Sequence, residues 1–320
     1  MTGQMADQPP PPSERSATVS AAPASSKSRT FIRRTASTLG LWGLVGAAFA
    51  SRWAWAYCGL IAILATISTI EYFRMVRAAR VVCFPRFGLA AAITYSVGLF
   101  WYFVIGHPEG SYGGRELPDS VDALAIFIVT AGAFTLQLRH SIKGTEALQA
   151  VALNVLGFIY ITVLFHFASR LLFMVEGEGE VPGAFLLLWL LAVTKFTDMG
   201  AYLTGTMIGK HKMIPHISPG KTWEGFGGAL AFAQLAACGL YALFPASLAV
   251  LGGWPHVIAL GVILALLAVV GDLAESVLKR SLGAKDSGQM LPGIGGGLDL
   301  IDSICFTAPA LYFYLKWVPL

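Results

Sequence analysis

Charge is scarce in this chain. Asp, Glu, Lys and Arg make up 12% of its 320 residues, against 56% apolar ones, and the mean hydropathy is +0.67. A large soluble core this apolar would need far more charge on its surface, so the balance excludes an ordinary soluble domain and indicates a polytopic membrane protein. Cysteine is rarer still. Cys58, Cys83, Cys238 and Cys305 are scattered in or near apolar runs, with no CxxC and no Cys/His metal spacing, so neither a zinc site nor a disulfide framework is expected. GxSxG and HExxH are both missing. No internal repeat is evident, so an inverted-repeat transporter is not indicated. The net charge of +4 does not by itself indicate nucleic acid, and its distribution is more informative.

Residues 1–35 contain Pro9–Pro12, an Ala/Ser-rich patch and the cations Lys27, Arg29, Arg33 and Arg34, which together read as a disordered basic tail. Thr38–Ala50 is apolar but short, and it ends in Ala48-Phe49-Ala50, which resembles a signal-peptidase site; a retained first span is the preferred reading. Further apolar runs lie near 53–70, 87–106, 121–137, 148–172, 183–197, 226–244, 256–271 and 303–318. Most approach the ~20 residues that a bilayer-crossing helix needs. The expected fold is an all-α, polytopic transmembrane helical bundle of about nine spans.

The loop charges orient it. With the N-terminus placed inside, all 22 Lys and Arg except Arg52, Arg115, Arg170 and Lys316 fall on the inside. The outer loops are acidic, with Glu109, Glu116 and Asp119 in one and Glu176, Glu178 and Glu180 in another. This bias fits the positive-inside rule and predicts that the polar clusters described next face the cytoplasm.

Gly271 to Asp302 concentrates carboxylates and cations between two apolar runs, where they are expensive. On a helix, Asp272, Glu275, Ser276 and Lys279 share one face, and Asp299 and Asp302 form a second i, i+3 pair. Pro292-Gly293-Ile294-Gly295-Gly296-Gly297 lies between them and cannot be continuous helix. The pattern predicts helix, loop, Gly-rich turn and helix, with two acidic faces converging on a cation. Asp272, Asp299 and Asp302 offer hard oxygen ligands, which suit Mg²⁺ and not zinc. The competing reading is a set of intramembrane ion pairs with Lys279, Arg280 or Lys285, but plain pairing would not need a Gly-rich hinge. Glu71 is expected to pair with Arg74 on its own helix, and His166 to bond a neighbouring helix.

A second polar cluster spans Lys195–Gly225 and contains Asp198 and Tyr202. Its Gly220-Lys221-Thr222 looks like the end of a phosphate-binding P-loop. The first glycine of that motif would fall at Pro215, and no strand is expected before it, so a Walker fold is rejected. A Gly-loosened turn, a lysine and a helix start still suit a phosphate, and Lys221 is given that role. Lys210, His211 and Lys212 are read as holding anionic headgroups. Acidic metal ligands, several lysines and a lipid setting together point to phosphoryl or nucleotidyl transfer.

These residues resemble a known family. Ser276-Val277-Leu278-Lys279-Arg280, then Lys285-Asp286, Pro292, Gly295-Gly296, Asp299 and Asp302 are similar to the signature of phosphatidate cytidylyltransferases (CDP-diacylglycerol synthases). Asp198-Met199-Gly200-Ala201-Tyr202 and Ser218-Pro219-Gly220-Lys221-Thr222-Trp223-Glu224-Gly225 look like that family's upstream blocks. The resemblance covers about residues 190–303 and is only architectural before that. Ile294 stands where the family usually has His, and Leu300 where it usually has Arg.

The resemblance implies transfer of a cytidylyl group from CTP to phosphatidic acid, giving CDP-diacylglycerol and pyrophosphate with Mg²⁺, and leaves a second cation open. It implies Lys221, Lys279, Asp272 and Asp299 as catalytic residues. Asp198, Ser218, Lys221, Thr222, Arg280, Lys285 and Asp286 would bind substrate, and Asp272, Asp299 and Asp302 the metal. The partners would be the two substrates and membrane lipid, without nucleic acid, and a homodimer stays open. The chain then divides into the tail at 1–35, an N-terminal transmembrane region at 36–185 and a C-terminal transmembrane catalytic region at 186–320, with a polar cavity facing the cytoplasm, in the cell (inner) membrane. A CTP-dependent lipid kinase and a membrane anion or lipid transporter remain alternatives. A CDP-alcohol phosphatidyltransferase is disfavoured, because its Asp-Gly-x-x-Ala-Arg motif is missing.

Overall fold

In a lipid interior every backbone N–H and C=O must find its partner within the chain, which leaves a long apolar run little choice but helix. The computed structural model describes residues 40, 43–106, 114, 116–175, 181–288 and 295–319. Within them, 8 helices are long and apolar enough to cross a membrane. They are α1 (Ala54–Ala78), α2 (Pro85–Ile105), α3 (Asp119–Gln137), α4 (Glu146–Met174), α5 (Ala184–Ile208), α6 (Trp223–Leu243), α7 (Trp254–Ser281) and α8 (Leu298–Trp317). Each coincides with an apolar run of the sequence, and the architecture is that of a multi-pass membrane protein. The tail at 1–35 lies outside the described residues, as do Pro292, Gly293 and Ile294. Of the short first run, residues 43–51 are helical. They pack on α1, with the Phe49 and Tyr57 rings edge to face at 5.1 Å.

Hydroxyls inside the spans follow the same rule as the backbone. Thr69 donates to the Ala65 carbonyl at 2.8 Å, Ser96 to Ala92 at 2.9 Å and Thr197 to Val193 at 2.7 Å, each one turn back along its own helix. His166 behaves likewise. The sequence suggested a bond to a neighbouring helix, but its Nδ1 lies 2.7 Å from the Thr162 carbonyl of its own helix, while its ring meets Tyr95 of α2 edge to face at 5.5 Å. The same Thr162 carbonyl also accepts the His166 N–H at 3.2 Å, where α4 changes its winding at a π-helical stretch, Phe158–Val163.

Polar bonds tie the C-terminal helices together around the site. The buried Trp189 of α5 donates to the Ala237 carbonyl of α6 at 3.0 Å, Gln234 of α6 to Ile258 of α7 at 2.9 Å, and the Thr194 and Thr307 hydroxyls join α5 to α8 at 3.1 Å. At the other end of the bundle Arg170 of α4 pairs with Asp122 of α3 at 2.6 Å, and Tyr95 of α2 donates to the same carboxylate at 2.6 Å. The Arg170 guanidinium also lies over the Phe167 ring at 4.7 Å, so a buried cation is held by both charge and aromatic faces.

One non-helical feature matters for function. Lys212–Ile214 (β1) and Ser218–Thr222 (β2) form an antiparallel hairpin between α5 and α6, with Lys212 opposite Thr222 and Ile214 opposite Ser218. This corrects the expectation that no strand precedes the Gly220-Lys221-Thr222 turn, since Lys221 itself stands in a strand. The pairing of Ile214 and Ser218 around Pro215 explains it: the proline supplies a fixed φ for the turn and needs no ladder bond.

Candidate active site

The hairpin is anchored at its base. Thr222 is the N-cap of α6, buried, and its hydroxyl accepts the Gly225 N–H at 3.1 Å. Two residues on, Glu224 accepts the Lys210 N–H at 3.1 Å and the His211 N–H at 3.2 Å, and also bonds the His211 ring. One carboxylate therefore closes the loop that leads into β1. The His211 side chain itself stays largely exposed.

With its base fixed, the hairpin presents Lys221 to α7. Its Nζ lies 2.7 Å from Asp272 Oδ2, with side-chain exposures of 19% and 42%. Beside this pair is a cavity of about 340 Å³, within the range of small-molecule sites, lined by Asp198, Tyr202, Ser218, Lys221, Phe226 and Asp272 among others. Asp198 leans toward Lys195 at 3.5 Å, and Lys195 also donates to the Leu300 carbonyl at 3.2 Å. Arg280 is exposed and reaches the Ile217 carbonyl at 3.4 Å, next to the hairpin turn. Lys285 and Asp286 are exposed on the segment after α7.

The carboxylates form two adjoining groups, with Glu275 and Asp299 in contact between them. Asp272, Glu275 and Asp302 each offer an oxygen, and these atoms lie within 4.8 Å of one another. Glu275 and Asp302 are buried, at 2% and 5% exposure. Close approach of α7 to α8 makes this possible at Gly271, where a Cβ would stand 2.8 Å from the Asp302 carbonyl oxygen and 2.8 Å from the Ser303 Cα. A turn at Asp302–Ser303 divides α8 into Leu298–Ile301 and Ile304–Trp317, and there Asp302 accepts the Ser303 N–H.

Asp299 forms the other group with Lys279. Its Oδ1 receives the Lys279 ammonium at 2.8 Å, and its Oδ2 accepts from the Ser287 hydroxyl at 2.7 Å and from the Gly296 N–H at 2.9 Å. Lys279 also reaches Glu275 at 2.7 Å, so one lysine connects the two groups. Of the sequence-read metal set, the structure brings Asp272 and Asp302 together and holds Asp299 on Lys279. Glu275 completes the cluster instead. Its position was visible on the Asp272 face of the helix, yet sequence reading left it out of the ligand set.

Glu71 was also misplaced by sequence reading. Its carboxylate accepts the Leu298 N–H at 3.1 Å, reaching the start of α8 from the end of α1, while Arg74 is exposed. A pairing one turn along the same helix was the local expectation, and no sequence signal could have shown this one.

The chain is thus a multi-pass helical bundle in which a lysine-bearing hairpin, an oxygen-only carboxylate cluster and a cavity adjoin one another. A sequence model described as the cytidylyltransferase family matches residues 32–318, and the chain belongs to that family. It is 34% identical over 194 residues to the uncharacterized protein YnbB of Escherichia coli (strain K12), covering 60% of this chain and 63% of that one. It is 37% identical over 162 residues to a phosphatidate cytidylyltransferase of Mycobacterium bovis, covering 50% of this chain and 49% of the relative. The match to the phosphatidate cytidylyltransferase of Bacillus subtilis (strain 168) is longer, 32% identical over 260 residues, covering 80% of this chain and 87% of the relative. The alignments thus span from about half to most of the relatives' length.

Proposed function

We propose that this chain transfers the cytidylyl group of CTP to phosphatidic acid, giving CDP-diacylglycerol and pyrophosphate, at the cytoplasmic face of the cell membrane. The observation that carries this reading is the Lys221–Asp272 pair at 2.7 Å, which joins the Pro-Gly-Lys-Thr hairpin to the carboxylate cluster at the edge of the cavity. Relatives that carry the name phosphatidate cytidylyltransferase support it.

The chemistry needs little from the protein beyond charge and position. A phosphate monoester has a second pKa of about 6, so the lipid phosphate is already largely ionised at neutral pH and needs no general base. A non-bridging oxygen of the lipid phosphate attacks the α-phosphorus of CTP. The bond from that phosphorus to the bridging oxygen breaks, and the electron pair leaves with pyrophosphate. Two anions must be held in line for this, which is the task of the lysines. Lys221 passes from Asp272 to a phosphate oxygen. Lys279, gripped between Glu275 and Asp299, presents a fixed positive charge. The exposed apolar side chains Tyr202, Met207 and Trp223 flank the hairpin and leave the acyl chains in lipid.

The acidic cluster fits a hard divalent cation. Its donors are all oxygen, two of its carboxylates are buried, and three of them within 4.8 Å repel one another unless a cation or a proton intervenes. Asp272, Glu275 and Asp302 would hold Mg²⁺, which when bound neutralises charge on the triphosphate. Asp299, in contact with Glu275 and Lys279, lies beside that set.

The test uses purified full-length protein with labelled CTP, phosphatidic acid and Mg²⁺. A liponucleotide and stoichiometric pyrophosphate are expected. Release of CDP would make it a lipid kinase, and movement of lipid or anion across vesicles without turnover would make it a transporter.

A further inference from the structure

Glu71 is distant in sequence from every motif residue, yet it lies against Gly288, Gly296 and Leu298, close to Asp299. It is buried, at 1% exposure, and its bond to the Leu298 N–H spans 227 positions of the chain. Leu298 opens α8 and Asp299 follows it, so the carboxylate caps the helix start directly before the site residue. Both ends of the preceding loop are shaped around the same side chain. A Cβ at Gly288 would collide with Glu71 Oε1 and meet its Cδ at 2.6 Å. A Cβ at Gly296 would stand 2.7 Å from Glu71 Oε2 and collide with the Ser287 hydroxyl. Ser287 and Gly296 are in turn two of the groups that hold the Asp299 carboxylate.

A buried carboxylate in a membrane protein is costly, and capping one N–H does not require glycine at two separate places around it. The geometry points to Glu71 as a positioning residue: it clamps the two ends of the Gly-rich loop against α1 and so fixes Asp299 against Lys279. The inference rests on the proposed role of the Asp299–Lys279 pair in the reaction. It places control of the site's geometry in the N-terminal half of the chain, where sequence reading found only architecture.

The test compares Glu71→Ala, Glu71→Gln, Glu71→Asp and Asp299→Asn with the unaltered full-length protein in lipid–detergent micelles. Melting temperature, kcat, and KM for CTP and for phosphatidic acid are measured, with rates normalised to folded, monodisperse protein. Glu71→Ala and Glu71→Asp are expected to lower kcat at least ~10-fold, since ångström-scale misplacement costs on that order, with KM for phosphatidic acid little changed. Glu71→Gln keeps the length and an oxygen for Leu298 N–H, and is expected to retain at least roughly a third of kcat. If Asp299→Asn turns over normally, the site reading and this inference fall together. If Asp299→Asn is inactive while folded Glu71→Ala is fully active, the site stands and the positioning role is overturned. Should Glu71→Ala not fold, equal kcat in the Gln and Asp variants overturns it.

Discussion

Lys221 of the hairpin and Asp272 of α7 hold each other at 2.7 Å, so the lysine is in place before any phosphate arrives. The pair is partly exposed, and a polyphosphate can therefore displace the single carboxylate without first opening the protein. A lysine without such a partner would have to be ordered at the moment of binding, at the cost of its side-chain entropy.

Removing that charge is the direct check. Lys221→Ala is expected to lower turnover by at least ~10-fold, about 1.4 kcal/mol of transition-state stabilisation. Expression and extraction should stay normal, because the side chain is not part of the packed interior. Unchanged activity would mean that Lys221 only holds lipid headgroups.

The acidic cluster makes a different prediction. Asp272→Asn and Asp302→Asn each keep size and a carbonyl oxygen but remove one negative charge from a cation site with few protein ligands. Each is expected to raise the Mg²⁺ concentration for half-maximal activity by roughly tenfold or more, and the double variant to lose much less than the two single losses combined. A wild-type Mg²⁺ response in both single variants would remove the metal reading. A fall in protein yield with unchanged specific activity would assign these carboxylates to structural pairing instead.

The Arg170–Asp122 pair lies at the other end of the bundle and separates stability from chemistry. Its side chains are 3% and 17% exposed, so Asp122→Ala leaves a buried guanidinium without its anion. A loss of roughly 3–5 kcal/mol is expected, read as a lower melting temperature in micelles. Activity per folded molecule should be unchanged; a selective loss of kcat would show coupling between the two ends.

Orientation is checked by labelling. Asp286 follows α7 and Ser247 follows α6, and both are exposed. In a background with Cys58, Cys83, Cys238 and Cys305 replaced, Asp286→Cys should react with an impermeant thiol reagent from the cytoplasmic side and Ser247→Cys from the opposite side. Labelling from one common side would break the alternation of spans on which the cytoplasmic site depends.

The spans were legible because bilayer-length apolar runs admit one backbone solution. Their inner ends were less so. The apolar run at 183–197 continues as helix to Ile208, and the run at 256–271 to Ser281. Hydropathy reports contact with lipid, whereas these extensions carry Asp198 and Asp272 to the cavity and Glu275 to the carboxylate cluster, and stay helical for reasons of packing. The site residues of α7 and the hairpin were readable from helical spacing and the Pro-Gly-Lys-Thr turn. The partners of Asp299 and the reach of Glu71 were not, since both join residues from separate helices, which no local periodicity encodes.

During synthesis α1 is made well before α8, so the Glu71–Leu298 contact cannot form until α8 has emerged. A nascent chain that has reached α7 already displays Lys221 and Asp272, but neither Asp299 nor Asp302. Such an intermediate can form the Lys221–Asp272 pair yet cannot assemble the carboxylate cluster. The candidate site is thus incomplete until α8 has docked against α1.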